Sequence, residues 1–174
     1  MDTTCFVFLD ETGATTNLTR RYGRCPRGER LVSATPWGHW QTTTFVAGLR
    51  SSGLIAPLVL DGAMTGAMFR ASVTQMLCPG LAPGDVVVMD NLSAHKVMGV
   101  TEAIRAVGAS VLDLPPYSPD LNPIEQVYAK LKALLRKAAA RTKEALWKTI
   151  GDLLEAFQAN ECQNYLTNCG YEPV

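Results

Sequence analysis

The 174-residue sequence predicts an α/β domain in which one mixed sheet is flanked by helices. Three observations lead there. Two apolar runs, CFVFL (5–9) and VVVM (86–89), are continuous rather than alternating, as in strands covered on both faces. Several later segments repeat their apolar residues at helical spacing. The order of segments also changes midway, from strand after strand to helix and strand in alternation.

After residue 9, RLVSA (30–34) and QTTTFVAGL (41–49) read as two further strands joined by TPWGHW. SSG then turns the chain into LIAPLVL (54–60), closed by Asp61-Gly62, and the four runs form an antiparallel meander. Met68, Phe69, Val73, Met76 and Leu77 keep a helical spacing that CPGLAPGD breaks. VVVM follows and ends at Asp90. Val97, Val100, Ile104 and Val107 mark a helix that Gly108 stops, and SVLDL (110–114) is a short strand. Ile124, Val127, Tyr128, Leu131, Leu134, Leu135 and Ala138 make an apolar stripe. Thr142 is placed to cap a last long helix through Leu146, Ile150, Leu153, Leu154 and Phe157. No repeat, low-complexity tract or boundary interrupts residues 1–174, which are read as a single domain.

Composition narrows the function classes. Hydrophobic residues make up 47%, which fits a globular chain. No apolar run approaches a membrane span, and MDTT is not a basic leader, so a cytoplasmic protein with no membrane partner is expected. Five cysteines without a CxxC pair argue against zinc and against a disulfide framework. The net charge of zero conceals two basic segments. Residues 19–30 hold five arginines against Glu29, and residues 122–148 hold seven bases against Glu125 and Glu144. Such clustering suggests a polyanionic partner.

Asp10 and Asp90 are each the first charged residue after a buried run, so each is expected at a strand's carboxyl end, the ligand-binding rim of open α/β sheets. If those strands are neighbours, the two carboxylates face one another. Glu125 opens a later helix and could complete a cluster. Three crowded carboxylates repel unless cations lie between them, and all-oxygen ligands favour Mg²⁺ or Mn²⁺. Two such ions, about 4 Å apart, can activate water and stabilise a leaving oxygen in phosphodiester cleavage. Local grammar offers a plainer reading of LPPYSPDLNPIEQVYAKLK (114–132). Asn122 caps the helix, Pro123 suits its first position, and Glu125 reaches back to the cap. Lys132 and Arg136 share the Glu125 face at the 3.6-residue period and suit contact with a phosphate backbone.

FLDETG, VVMDNLSAHK and LPPYSPDLNPIEQVYAKLK, in that order, resemble the catalytic domain of bacterial insertion-sequence transposases of the mariner-like superfamily. PRGER and GHWQTTTFVAGLR also look like family segments, so the resemblance covers nearly the whole chain. Asp90 and Glu125 have thirty-four residues between them, a spacing usual in that family. The resemblance implies a ribonuclease H-like fold with a mixed five-stranded sheet, and an Asp-Asp-Glu triad of Asp10, Asp90 and Glu125 holding two Mg²⁺ or Mn²⁺ ions. It implies DNA strand cleavage and strand transfer during transposition. The partners would be element ends and target DNA, met by a homodimer or larger synaptic complex associated with the nucleoid. Glu125 would then be cap and ligand at once.

Family members place a helix-turn-helix region ahead of the first aspartate, and only nine residues precede Asp10 here. An upstream-encoded helix-turn-helix protein or a frameshift fusion is therefore expected to read the element ends. The alternative is a catalytically idle, truncated transposase acting as a DNA-binding or oligomerising inhibitor. An aspartyl-phosphate enzyme would need DxDxT, and Thr12 occupies the second acidic position. His95, five residues after Asp90, is a candidate for orienting the scissile phosphate or water. Asp61 reads as a turn residue, Glu11 as a surface or supporting group, and Asp113 and Asp120 as shaping the approach to the helix. Trp37, His39 and Trp40 are expected to pack at a tight turn, with DNA contact as the alternative.

Overall fold

The apolar run at 5–9 lies at the centre of a sheet, which is why it does not alternate. In the computed structural model, which describes residues 3–20, 22–90 and 97–172, the strands are β1 (Phe6–Thr15), β2 (Thr42–Arg50), β3 (Gly53–Asp61), β4 (Val86–Met89) and β5 (Ser110–Asp113). They are ordered β3-β2-β1-β4-β5. β1–β2 and β2–β3 are antiparallel, whereas β1–β4 and β4–β5 are parallel. This is the mixed, five-stranded, ribonuclease H-like sheet expected above.

Strand parity sorts the core into two layers. Phe6 and Phe8 join Phe45, Ala47, Leu49 and Val88 beneath α3 (Ile124–Ala138), α4 (Lys143–Leu153) and α5 (Ala159–Asn168). Val7 and Leu9 join Val46, Val87 and Met89 beneath α1 (Gly66–Ser72), a π-helical turn (Val73–Leu77) and α2 (Val100–Ala106). On the second face Gly48 leaves little room for a side chain, since a Cβ there would lie 3.0 Å from the side chains of both Val7 and Ile55. Arg50, at the end of β2, grips Asp85 ahead of β4 through two hydrogen bonds of 2.5 and 3.1 Å. That pair holds the Asp85 carboxyl below its usual range and ties the antiparallel half of the sheet to the parallel half.

Three expectations change. RLVSA is not a strand: residues 22–40 run outside the sheet as an excursion between β1 and β2, with Val32 84% exposed. Its base is closed by Thr16 N–H to the Gln41 carbonyl at 3.2 Å and Gln41 N–H to Thr16 Oγ1 at 3.1 Å. β1 already has β2 and β4 as neighbours, so the run finds no place between the two strands it connects. Trp37 and Trp40, expected to pack, stand exposed on this excursion, as does His39. The last helix is two. Thr142 caps α4, its Oγ1 accepting from Ala145 N–H at 3.2 Å, but a 3₁₀ turn at Leu154–Ala156 redirects the chain into α5. Gly108, at φ +82°, ends α2 as expected.

Among the described residues no helix is long and apolar enough to cross a membrane, and all five cysteines are unpaired.

Candidate active site

Asp10 is not at the end of its strand. β1 runs on to Thr15, but its parallel neighbour β4 stops at Met89, opposite Leu9. Asp10 is thus the first residue of β1 beyond the end of β4, and Asp90 follows β4 directly. The expected juxtaposition holds, made by a mid-strand residue where the partner runs out.

Parity places Asp10 on the same face as Phe6 and Phe8, against α3. It is 5% exposed, and both carboxylate oxygens have donors. Oδ1 accepts from Glu11 N–H at 2.7 Å, and Oδ2 accepts from Asn122 Nδ2 at 2.9 Å. Both donors are neutral. Burial pushes the Asp10 carboxyl up to about 7 from the usual 3.8, against the Glu11 hydrogen bond, with Asp90, Glu11 and Glu125 adding repulsion. Among the described residues, no basic side chain acts on it.

Glu125 stands exposed on the first turn of α3. Asp90, Asn122 and Glu125 line one cavity of about 350 Å³ whose remaining wall is the loop from Leu114 to Pro119. Asp10 does not line this cavity, but both Asp90 and Glu125 are near enough to repel its carboxylate. Among the described residues, no three His, Cys, Asp or Glu side chains close tightly enough to hold one ion between them.

The capping expectation fails at Asn122. Its side chain makes no cap hydrogen bond; the amide turns inward to Asp10, across 112 positions of sequence. The helix instead starts through tight backbone turns, Glu125 N–H to the Asn122 carbonyl and Gln126 N–H to the Pro123 carbonyl at 3.1 and 3.2 Å. One turn on, the buried Tyr128 hydroxyl donates to the Asp10 carbonyl, and its oxygen accepts from the Ala47 backbone N–H. Burial and the nearby Asp10 hold this phenol well above its ordinary range. Asn122 and Tyr128 thus fix α3, and with it Glu125, to the strand bearing Asp10. Sequence reading missed both roles, because an Asn-Pro before a helix signals a cap and a Tyr in an apolar stripe signals core.

Tyr128→Phe tests this brace. Removing a buried hydroxyl that serves two backbone groups should lower stability by about 1–2 kcal/mol, read as a lower urea midpoint at unchanged m-value. An unchanged midpoint would show that the hydroxyl carries no part of the attachment.

The other candidates fall outside the cavity. Asp61 ends β3 before Gly62 (φ +78°) and pairs with Lys143 at 2.9 Å, as its turn reading expects. Asp113 ends β5 and Asp120 lies in a 3₁₀ turn, both exposed. Lys132 is half-buried on α3, and Arg136 lines a separate cavity of about 270 Å³ with Thr15, Asn17, Leu18, Thr19 and Thr35. His95 lies outside the described residues. The basic stretch from Lys130 to Lys148 is less available than its composition suggests. Lys130 reaches Glu161 at 2.6 Å and lies 4.8 Å from the Phe157 ring centre, Arg141 donates to the Leu18 carbonyl at 2.8 Å, and Lys148 pairs with Asp152 at 2.5 Å. Among the described residues, Lys132, Arg136 and Lys137 have no ion pair.

Several solved structures share this fold. The Mos1 strand transfer complex superposes with a TM-score of 0.75 at 18% identity, over 97% of this chain and 51% of that one. The Mos1 mariner paired-end complex with Mn gives 0.74 at 18% identity, over 96% and 52%. The catalytic domain of Mos1 mariner transposase gives 0.66 at 16% identity, over 96% and 76%. The chain thus spans about half the length of the longer relatives. No curated protein matches the sequence. A family model for the DDE superfamily endonucleases matches residues 5–147, a stretch that takes in the sheet, all three carboxylates and the helix carrying Glu125. The chain belongs to the DDE superfamily endonucleases.

Proposed function

We propose that this chain is a transposase catalytic domain, and that Asp10, Asp90 and Glu125 hold divalent metal ions for cleaving and rejoining DNA strands. The observation that carries the reading is Asp10: a buried carboxylate, given only neutral donors among the described residues and pressed by the carboxylates of Asp90, Glu11 and Glu125. Such a group is at odds with its surroundings until a cation arrives. The donor set is all oxygen, which fits Mg²⁺ or Mn²⁺, and the Mos1 relatives include paired-end complexes with Mn and with Mg. Bound there, two such ions would supply an activated water and stabilisation of the leaving oxygen.

The chain's own residues do the positioning. Asn122 and the Glu11 amide orient the Asp10 carboxylate, and α3 carries Glu125 to the cavity while its outer surface presents Lys132 and Arg136 to the DNA backbone. His95, outside the described residues, is retained from the sequence alone as a group for orienting the scissile phosphate or water. An assembly of two or more copies around paired element ends is the expected working form, by analogy with the Mos1 paired-end complexes. Recognition of those ends is assigned to a helix-turn-helix segment outside these residues, in a fused or separate polypeptide.

Supercoiled plasmid incubated with the chain should be nicked in Mg²⁺ or Mn²⁺, leaving 3′-hydroxyl ends, and should survive in chelator. Plasmid left intact at every metal concentration would refute the reading. Binding to duplex DNA should weaken steeply with salt. Lys132→Ala and Arg136→Ala should each flatten the log–log salt slope by about one. Lys130→Met should leave it unchanged, because that ammonium is already held by Glu161.

A further inference from the structure

Tyr117 has a conformation that the fold does not reward. Its φ is +58°, a left-handed backbone that is strained for an aromatic residue, yet its ring is 102% exposed. The cause of the strain lies in its neighbours. Pro116 has its own φ locked, and Ser118 is kept from the right-handed region by Pro119, taking φ −116° and ψ 61°. The chain reversal therefore falls on Tyr117. Buried Leu114 and Asn122 anchor the two ends of the loop, so the tyrosine is held out rather than left loose. It is held at the wall of the cavity that Asp90 and Glu125 line.

We propose that Tyr117 is a stacking platform for a nucleobase beside the scissile phosphate, and that it sets which phosphate reaches the carboxylates. This rests on the reading of the chain as a DNA-cleaving enzyme. A ring with both faces open and no packing partner offers a flat apolar surface at the one place where a strand must be held in register. Every base presents a matching face, so the contact fixes position without reading sequence. A phosphate would call for a cation at this wall, and the loop from Leu114 to Pro119 contains none.

The test compares wild type, Tyr117→Phe and Tyr117→Gly on a synthetic duplex carrying the wild type's mapped nick site, in Mn²⁺. Glycine adopts the left-handed backbone freely, so Tyr117→Gly should melt no lower than wild type. It should nonetheless cleave about ten-fold or more slowly, as expected for the loss of one base–aromatic stack, while Tyr117→Phe keeps the wild-type rate. Single abasic sites are then placed at each position flanking the nick. One of them should slow wild type to the rate of Tyr117→Gly and should have no further effect on Tyr117→Gly itself, because the two changes remove the same contact. Full-rate cleavage by Tyr117→Gly overturns the proposal alone. So does an abasic penalty that persists undiminished in that variant. Absence of cleavage by wild type overturns the reading on which it rests.

Discussion

Asp10→Asn and Glu125→Gln should each lower metal-supported nicking on the order of 10³-fold or more, because each removes a charge needed to hold a divalent ion in place. The two substitutions act on different backgrounds. Glu125 is exposed and makes no cap hydrogen bond, so Glu125→Gln should leave stability within about 0.5 kcal/mol of wild type. Its loss of activity would then be chemical rather than structural. Mn²⁺ titration by calorimetry supplies an independent readout, in which both variants should bind more weakly than wild type. Wild-type nicking by either one would remove that residue from the site.

The second large effect concerns stability and pH in chelator. Asp10 has a folded-state pKa of about 7 against a usual 3.8. Between those values the folded chain keeps a proton that the unfolded chain has released, so stability falls as pH rises through the window. From pH 5 to pH 8 the loss should be about 3 kcal/mol, at about 1.4 kcal/mol per unit until the group ionises. Asp85 and Glu161, with carboxyls held below their usual range, contribute in the opposite direction but at lower pH. In Asp10→Asn the group cannot ionise, so the slope from Asp10 vanishes. One of its two donors meets an amide NH₂ instead of an oxygen, at about 1–3 kcal/mol, and protonated aspartate bears the same mismatch at pH 5. The variant should therefore match wild type near pH 5 and melt above it at pH 8. Mn²⁺ should stabilise wild type at pH 8 far more than at pH 5, and should do little for the variant. A wild type that grows more stable from pH 5 to pH 8 without metal, or a variant with the same slope, would refute the burial of an unneutralised carboxylate.

Much of this architecture was legible because it is local. The unbroken runs at 5–9 and 86–89 stated that both faces of their strands are covered, and Asp90 and Glu125 could be placed from element ends. What was not legible depends on partners far along the chain. RLVSA has the composition of a strand and lacks only a place beside β1, and nothing within five residues reveals that β1 and β2 pair directly. Asn122 looks like a cap until β1 is laid beside it. Lys130 counts as free charge until α5 brings Glu161 to it, and α5 itself was hidden because no proline or glycine marks the turn at Leu154–Ala156.

The hydrogen bond from Asn122 to Asp10 also bears on the order in which the molecule acquires its parts during synthesis. The hairpin of β2 and β3 joins neighbouring segments and has short loops to close, whereas Asp10 meets Asn122 only after 112 further positions are made. Asp10 leaves the ribosome well ahead of Glu125, which follows all five strands in the chain. A growing or prematurely terminated chain can thus fold much of its sheet while lacking the helix that completes the cavity. Incomplete products hold one or two of the three acids, and none short of residue 125 holds the full set.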